Sequence, residues 1–449
     1  MSGALGRLAA RLSLDRPAVR AWMLYDWANS AMYVVIVTAI FPIYFGSVAA
    51  EGLPAATATY RFSLATTVGL TIIAVLSPIL GAYADHSAAK KRLLGAFLAF
   101  GATAVAAMFL IQHGQWLLAA LLFVLANIGV NGSFVFYDSL LPHVAAPEEM
   151  DRVSTAGYAL GYLGGGLFLV FCLAVVMMPA AFGLPAGEGL SPGQATLPTR
   201  LTFLLTALWW AGFSIPLFRH VPEPPARPLD PEEARLGPLR ASLHRLGHTF
   251  RKLRGYRQAF LLLLAFLIYN DGVGTIIRMA AIYGEEIGIT RTTMIAAIAL
   301  VQFVGVPFAY LFGGLAQRMG TRPAIFVGLA AYLGISVLGY FMQTDLHFIL
   351  LAVFVGMVQG GVQALSRSLF ASMIPRQLSG EFFGFFAVFE KFAGILGPAL
   401  FSVAILLTGS SRAALLSVVG FFVVGGALLA RVDVAEGQRV ARAEERAAA

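Results

Sequence analysis

Apolar and charged residues follow one another along this chain in long blocks. Twelve mostly apolar runs, each near the roughly 20 residues a membrane-crossing helix needs, cover 24–48, 62–84, 93–112, 116–137, 153–178, 201–219, 258–284, 293–316, 323–343, 347–373, 381–407 and 413–430. Pro, Gly or charge breaks each run from the next. Six runs, a longer polar link and six more predict an all-α integral membrane fold, with 12 transmembrane helices in two pseudo-symmetric six-helix bundles. The predicted boundaries are an N-terminal segment at 1–20, a first bundle at 21–219, a linker at 220–257, a second bundle at 258–431 and a tail at 432–449. Arg7, Arg11, Asp15, Arg16 and Arg20 leave no unbroken apolar stretch in the first segment, so no cleavable signal is expected. Leu5, Leu8 and Leu12 share one face of a short interfacial helix there. In the linker, Leu239, Leu243, Leu246, Phe250 and Leu253 recur at helical spacing among arginines, the pattern of an amphipathic helix on the membrane surface.

Composition agrees. The 449 residues are 59% apolar and only 12% charged, with mean hydropathy +0.79, against roughly 25% charged in a soluble protein. Lys and Arg fix an orientation. With the N-terminus inside, 24 of the 31 fall in cytoplasmic segments, and Arg61, Arg200, Arg291 and Arg412 alone on the other side. Both termini are therefore expected in the cytoplasm. The net charge of +8 is spread over short loops, which excludes a nucleic-acid partner. The single cysteine, Cys172, excludes disulfides and Cys-based metal sites.

The halves echo each other. Gly81-Ala82-Tyr83-Ala84-Asp85, followed by Lys90, Lys91 and Arg92, returns 232 positions later as Gly313-Gly314-Leu315-Ala316-Gln317, followed by Arg318, Gly320 and Arg322. Gly132, Ser139 and Leu140 return at an offset of 229 as Gly361, Ser368 and Leu369. Duplicated membrane halves are the ground plan of a secondary transporter. The glycine–acid–cation loop resembles the signature loop of the major facilitator superfamily. It departs from that pattern at His86 and Ala88, and the second copy has Gln317 for the acid. The resemblance implies a cytoplasmic latch built from Gly81, Asp85, Lys90, Lys91, Arg92, Gly313, Arg318, Gly320 and Arg322, with the charge in the first copy. Tyr25-Asp26-Trp27-Ala28-Asn29-Ser30-Ala31, Phe136 to Pro142, Tyr269 to Gly272, Gln359 to Ser368 and Glu381 to Gly384 are similar to one subgroup, the autophagy-related vacuolar amino-acid effluxer-like family. That likeness spans nearly the whole chain. It implies amino-acid transport, efflux, and, for a bacterial-type chain, a plasma or inner membrane location.

Charge inside a span costs at least ~2.5 kcal/mol and needs a reason. Asp271 and Arg278, seven apart, share a helix face and suit the ammonium and carboxylate of an amino acid. Glu390 and Lys391 are adjacent, about 100° apart on a helix, and are expected to have separate partners. Glu390 and Asp26 are the candidates for carrying a proton. Asp138 and Arg367, near the inner ends of the fourth and tenth spans, are expected to act as a gate. Asn29, Tyr33, Asn127, Asn131, Asn270, Gln359 and Gln363 supply neutral hydrogen-bonding groups for a central cavity, with Lys391. No phosphate loop, metal-spaced His pair or Ser elbow occurs, so neither enzyme chemistry nor a cofactor is expected. The expected partners are a small-molecule substrate, the lipid bilayer and protons, and the expected state is a monomer. The expected function is secondary active transport of a small polar solute, an amino acid, by alternating access. The alternatives are an exporter of amphiphilic compounds and a membrane solute sensor that moves nothing.

Overall fold

The computed structural model describes residues 16–226, 255–393, 396–408 and 411–447. The interfacial helix expected around Leu5 to Leu12 and the amphipathic helix expected at 239–254 lie outside them. The described residues hold helices, turns and loops. The first half has α1 (Pro17–Met32), α2 (Ala55–Ser87), α3 (Lys90–Ala107), α4 (Trp116–Ser139), α5 (Met150–Met177) and α6 (Leu197–His220). The second has α7 (Arg257–Glu286), α8 (Arg291–Met319), α9 (Thr321–Tyr340), α10 (Asp345–Ser372), α11 (Ser379–Phe392), α12 (Leu396–Thr408), α13 (Ser411–Ser417) and α14 (Val419–Ala430), and α15 (Val434–Ala447) follows.

Ten described helices are long and apolar enough to cross a membrane, or eleven if the bent pair from Ala414 to Ala447 is one crossing. Three expected spans differ from their continuous apolar patterns; the twelfth, at 413–430, divides at Val418 into α13 and α14. The run at 381–407 is broken into α11 and α12, 14 and 13 residues long. Each is too short to cross alone at 1.5 Å per residue. Gly397 and Pro398 lie at the start of α12, where proline's missing N–H is tolerated. The first run starts earlier than its apolar pattern, at Pro17, and passes through π-helical turns at Tyr33–Ala39 and Phe45–Ala49. Such turns inside a helix often mark functional positions.

Lipid offers no hydrophobic drive for helix association, so close packing supplies it. Where α2 crosses α11, a side chain on Gly81 would strike the Gly380 carbonyl, and one on Gly384 would lie 2.6 Å from the Ser77 carbonyl. Only glycine admits backbones this close. The loops Ser87–Lys90, 140–149, 319–321 and 373–378 and the helix α15 gather at one end, called here the basic face.

Candidate functional site

The basic face is sealed by two layers of cross-half contacts. The outermost involves the first latch copy. Asp85 sits at the last turn of α2 and accepts the backbone N–H of Gly380 (3.0 Å) and of Glu381 (2.8 Å), at the buried start of α11. A helix start carries partial positive charge and unpaired N–H groups, so a carboxylate belongs there. Lys90 adds an ion pair at 2.7 Å, with both side chains buried. His143 lies beside it, 3.4 Å from Lys90 Nζ and 3.1 Å from Ser379 Oγ. Lys91 caps the end of α6, donating to the carbonyls of Phe218 (3.0 Å) and Val221 (2.5 Å). Glu223 accepts the Lys91 N–H at 3.0 Å. Burial pushes the Glu223 carboxyl above its usual range, and this hydrogen bond opposes the rise. Arg92 is exposed.

The second copy closes the same joint differently. Gln317 and Arg318 are exposed. Asp151, at the start of α5, accepts Thr321 Oγ1 at 2.6 Å and also the Ser368 hydroxyl. Gly313 packs so tightly on Thr155 that a side chain there would collide with it. Arg322 caps the end of α14 through the Val432 carbonyl at 2.5 Å, as Lys91 caps α6.

One layer deeper lies Arg367 of α10, 2% exposed. Its guanidinium donates to Asp138 Oδ1 at 2.9 Å, to Ser154 Oγ at 3.0 Å and to the Ser154 carbonyl at 3.1 Å. Asp26 Oδ2 stands 3.6 Å away and accepts the Tyr137 hydroxyl at 2.8 Å. The rings of Trp22, Tyr137 and Tyr158 surround the guanidinium at 4.9, 5.5 and 4.6 Å, close enough for cation–π attraction. Residues from α1, α4, α5 and α10 therefore meet on one cation. Asp138 and Arg367, expected near the inner ends of their spans, are paired here. Asp26 joins them, and Trp22, Ser154 and Tyr158, which carried no charge to flag them, complete the gate.

Above the gate, Lys391 and Glu390 differ from expectation. They pair with each other at 3.1 Å. The long lysine stem spans the angle between adjacent positions, and α11 ends one residue later. Asp138, Glu390 and Lys391 lie close enough to act on one another electrostatically. Tyr33 is 41% exposed at the start of its π turn. Asn29, between Asp26 and Tyr33 on one face of α1, is fully buried, and neither of its amide atoms has a hydrogen-bond partner among the described residues.

The other expected residues scatter. Asn131 donates to the Asn127 carbonyl at 2.9 Å and Asn127 to that of Phe123 at 3.0 Å, so both amides bond their own helix. Asn270, Gln359 and Gln363 are half-buried. Asp271 is fully buried, and its Oδ2 accepts the Gly397 N–H at 2.7 Å at the start of α12. Its Oδ1 is 3.9 Å from Arg278, whose side chain is 47% exposed. The end of α12 left open by the break is thus capped by a carboxylate from α7.

At the opposite end, polar contacts run within halves. Tyr44 bonds the Ile111 carbonyl, Arg200 the carbonyls of Phe109 and Gly193, and Thr293 bonds Asp345. The conformation is closed at the basic face.

Comparison with known proteins agrees with this geometry. Residues 53–442 match the family described as vacuole effluxer Atg22 like. The chain is 39% identical over 413 residues to an uncharacterized MFS-type transporter, YxiO, of Bacillus subtilis, covering 92% of this chain and 94% of that one. It is 24% identical to autophagy-related protein 22-1 of Phaeosphaeria nodorum, over 86% of this chain and 77% of the relative. Among solved structures, the fucose transporter FucP in its outward conformation superposes with TM-score 0.66 at 14% identity, covering 93% and 98% of the two chains. The human organic anion transporter MFSD10 gives TM-score 0.65 at 14% identity, over 92% and 99%. The chain has the major facilitator fold, and it is a transporter belonging to the Atg22-like family of that superfamily.

Proposed function

We propose that the protein moves an amino acid across a bacterial plasma or inner membrane by alternating access, coupled to protons, with the basic face cytoplasmic. The observation that carries this reading is the Glu390–Lys391 ion pair, which lies within electrostatic reach of Asp138 in the Arg367 cluster. A zwitterion presents an ammonium and a carboxylate. It can exchange partners with an ion pair of similar size at little net electrostatic cost, Lys391 taking its carboxylate and Glu390 its ammonium. Tyr33, Asn29, Asn270, Gln359 and Gln363 supply hydrogen bonds, and exposed Arg278 a second cation. Asp271, bound to Gly397, holds Arg278 and α12 in place in this conformation. The effluxer description of the family model supports movement outward.

The test uses the full chain in proteoliposomes with a radiolabelled mixture of the twenty amino acids, with and without a pH gradient. Labelled flux above protein-free vesicles is expected, enhanced by the gradient. Substituting Lys391→Gln lowers it at least about tenfold, the effect of losing one charge-assisted contact. Absence of flux under both conditions overturns the amino-acid assignment.

A further inference from the structure

Beyond the latch, three groups of charge lie within the described spans. Glu390 with Lys391 sums to zero. Asp271 with Arg278 sums to zero. Asp26 and Asp138, sharing the single cation Arg367, sum to one negative charge. All three members of this last group are at most 9% exposed. An uncompensated charge shut away from water is costly, and a carboxylate escapes that cost by binding a proton.

We infer that the closed gate holds one proton, carried by Asp26, and releases it when the gate parts. The geometry selects Asp26 over Asp138. Asp138 Oδ1 takes the direct guanidinium bond at 2.9 Å, whereas Asp26 Oδ2 lies at 3.6 Å and has the neutral Tyr137 hydroxyl as its close donor. The proton sits on Oδ1, because Oδ2 is the oxygen that meets these donors. On opening, the O–H bond breaks to water entering from the basic face, and the freed carboxylate is then hydrated. The groups facing the site are Trp22 and Tyr25 on its own helix, Tyr137 and Asp138 of α4, Tyr158 and Tyr162 of α5, and Arg367 of α10. Glu390 and Lys391 of α11 act through Asp138. Among them only Arg367 and Lys391 are cations, and Lys391 already has Glu390. The inference deepens the alternating-access reading and rests on it. It places the coupling proton in the gate, so that closing the basic face and taking up a proton are one event.

The closed state then binds one proton more than the open state. It gains population as pH falls and loses it as pH rises, by up to about tenfold per pH unit. The experiment needs no solute. The full chain, with Cys172→Ala, carries spin labels at Glu148→Cys and Met319→Cys, exposed positions on either side of the joint, in lipid nanodiscs. The label separation is measured from about pH 5 to about pH 8. The expected result is a short separation at low pH that gives way to a longer one as pH rises. Asp26→Asn and Asp138→Asn, read independently, each abolish this dependence, because either removes the excess charge. A pH-independent separation in the parent chain, or survival of the dependence in both Asn variants, overturns the inference. Amino-acid flux is read separately. Flux with a pH-independent gate removes the proton site and spares the transport reading, and a pH-dependent gate without flux does the reverse.

Discussion

The two copies of the duplicated loop close one joint with opposite placements of the acid. In the first, Asp85 is on the last turn of α2, and the facing helix supplies backbone N–H groups from Gly380 and Glu381. In the second, the acid is Asp151 on the facing helix, and the loop side supplies hydroxyls, Thr321 with Ser368 of α10. The first copy buries an ion pair with Lys90, and the second a carboxylate held by neutral donors. Duplication thus preserved the architecture of the joint while its chemistry diverged. A buried, fully bonded ion pair resists separation more than hydroxyl bonds do. The first copy should therefore set the energy of opening, and the second should tune it.

Substitutions test that ranking. Asp85→Ala should have the largest effect, about 3–5 kcal/mol against the closed state, because it strands Lys90 and two helix-start N–H groups. The label separation at 148 and 319 should lengthen at all pH values. Asp151→Ala should cost less, about 1–3 kcal/mol, since only hydroxyls lose their acceptor. An Asp151→Ala effect equal to that of Asp85→Ala would erase the proposed difference between copies. Next come the loop backbones. Gly320 has φ +90°, and Ala88, at the matching position of the first copy, has φ +46°. Gly320→Ala should lower stability by about 1–2 kcal/mol, read as a drop in thermal midpoint. Ala88→Gly, which relieves left-handed strain but frees the unfolded chain, should raise it by at most about 1 kcal/mol. A fall in midpoint for Ala88→Gly would show that its side chain packs usefully despite the strain.

Much of the fold was legible because lipid demands long apolar runs. The fourth span, read as 116–137, is the helix Trp116–Ser139, and the tenth, read as 347–373, is Asp345–Ser372. The gate pair Asp138 and Arg367 was legible from their places near the inner ends of their spans. The break in the eleventh span was not, because 381–407 stays apolar through it and only Gly397 and Pro398 hint at a new helix start. The partner of Asp85 is backbone N–H, which no residue type announces. The Glu390–Lys391 pair was misread because helix angles describe Cβ directions, and a lysine head can travel several ångströms from its own. Asn127 and Asn131 have cavity-like spacing, yet bonds to their own helix use the same spacing. The helices expected in the N-terminal segment and the linker lie outside the described residues.

The central claim is that the halves must part at the basic face for solute to pass. Thr155 and Gly313 face each other there, with the Thr155 Cβ 3.3 Å from where a Gly313 Cβ would lie, near the separation a disulfide spans. The measurement is labelled amino-acid flux through the Thr155→Cys, Gly313→Cys chain in a Cys172→Ala background, before and after oxidation. The account predicts that flux falls to the level of empty vesicles when the bond forms and returns on reduction; undiminished flux through fully cross-linked protein would contradict it.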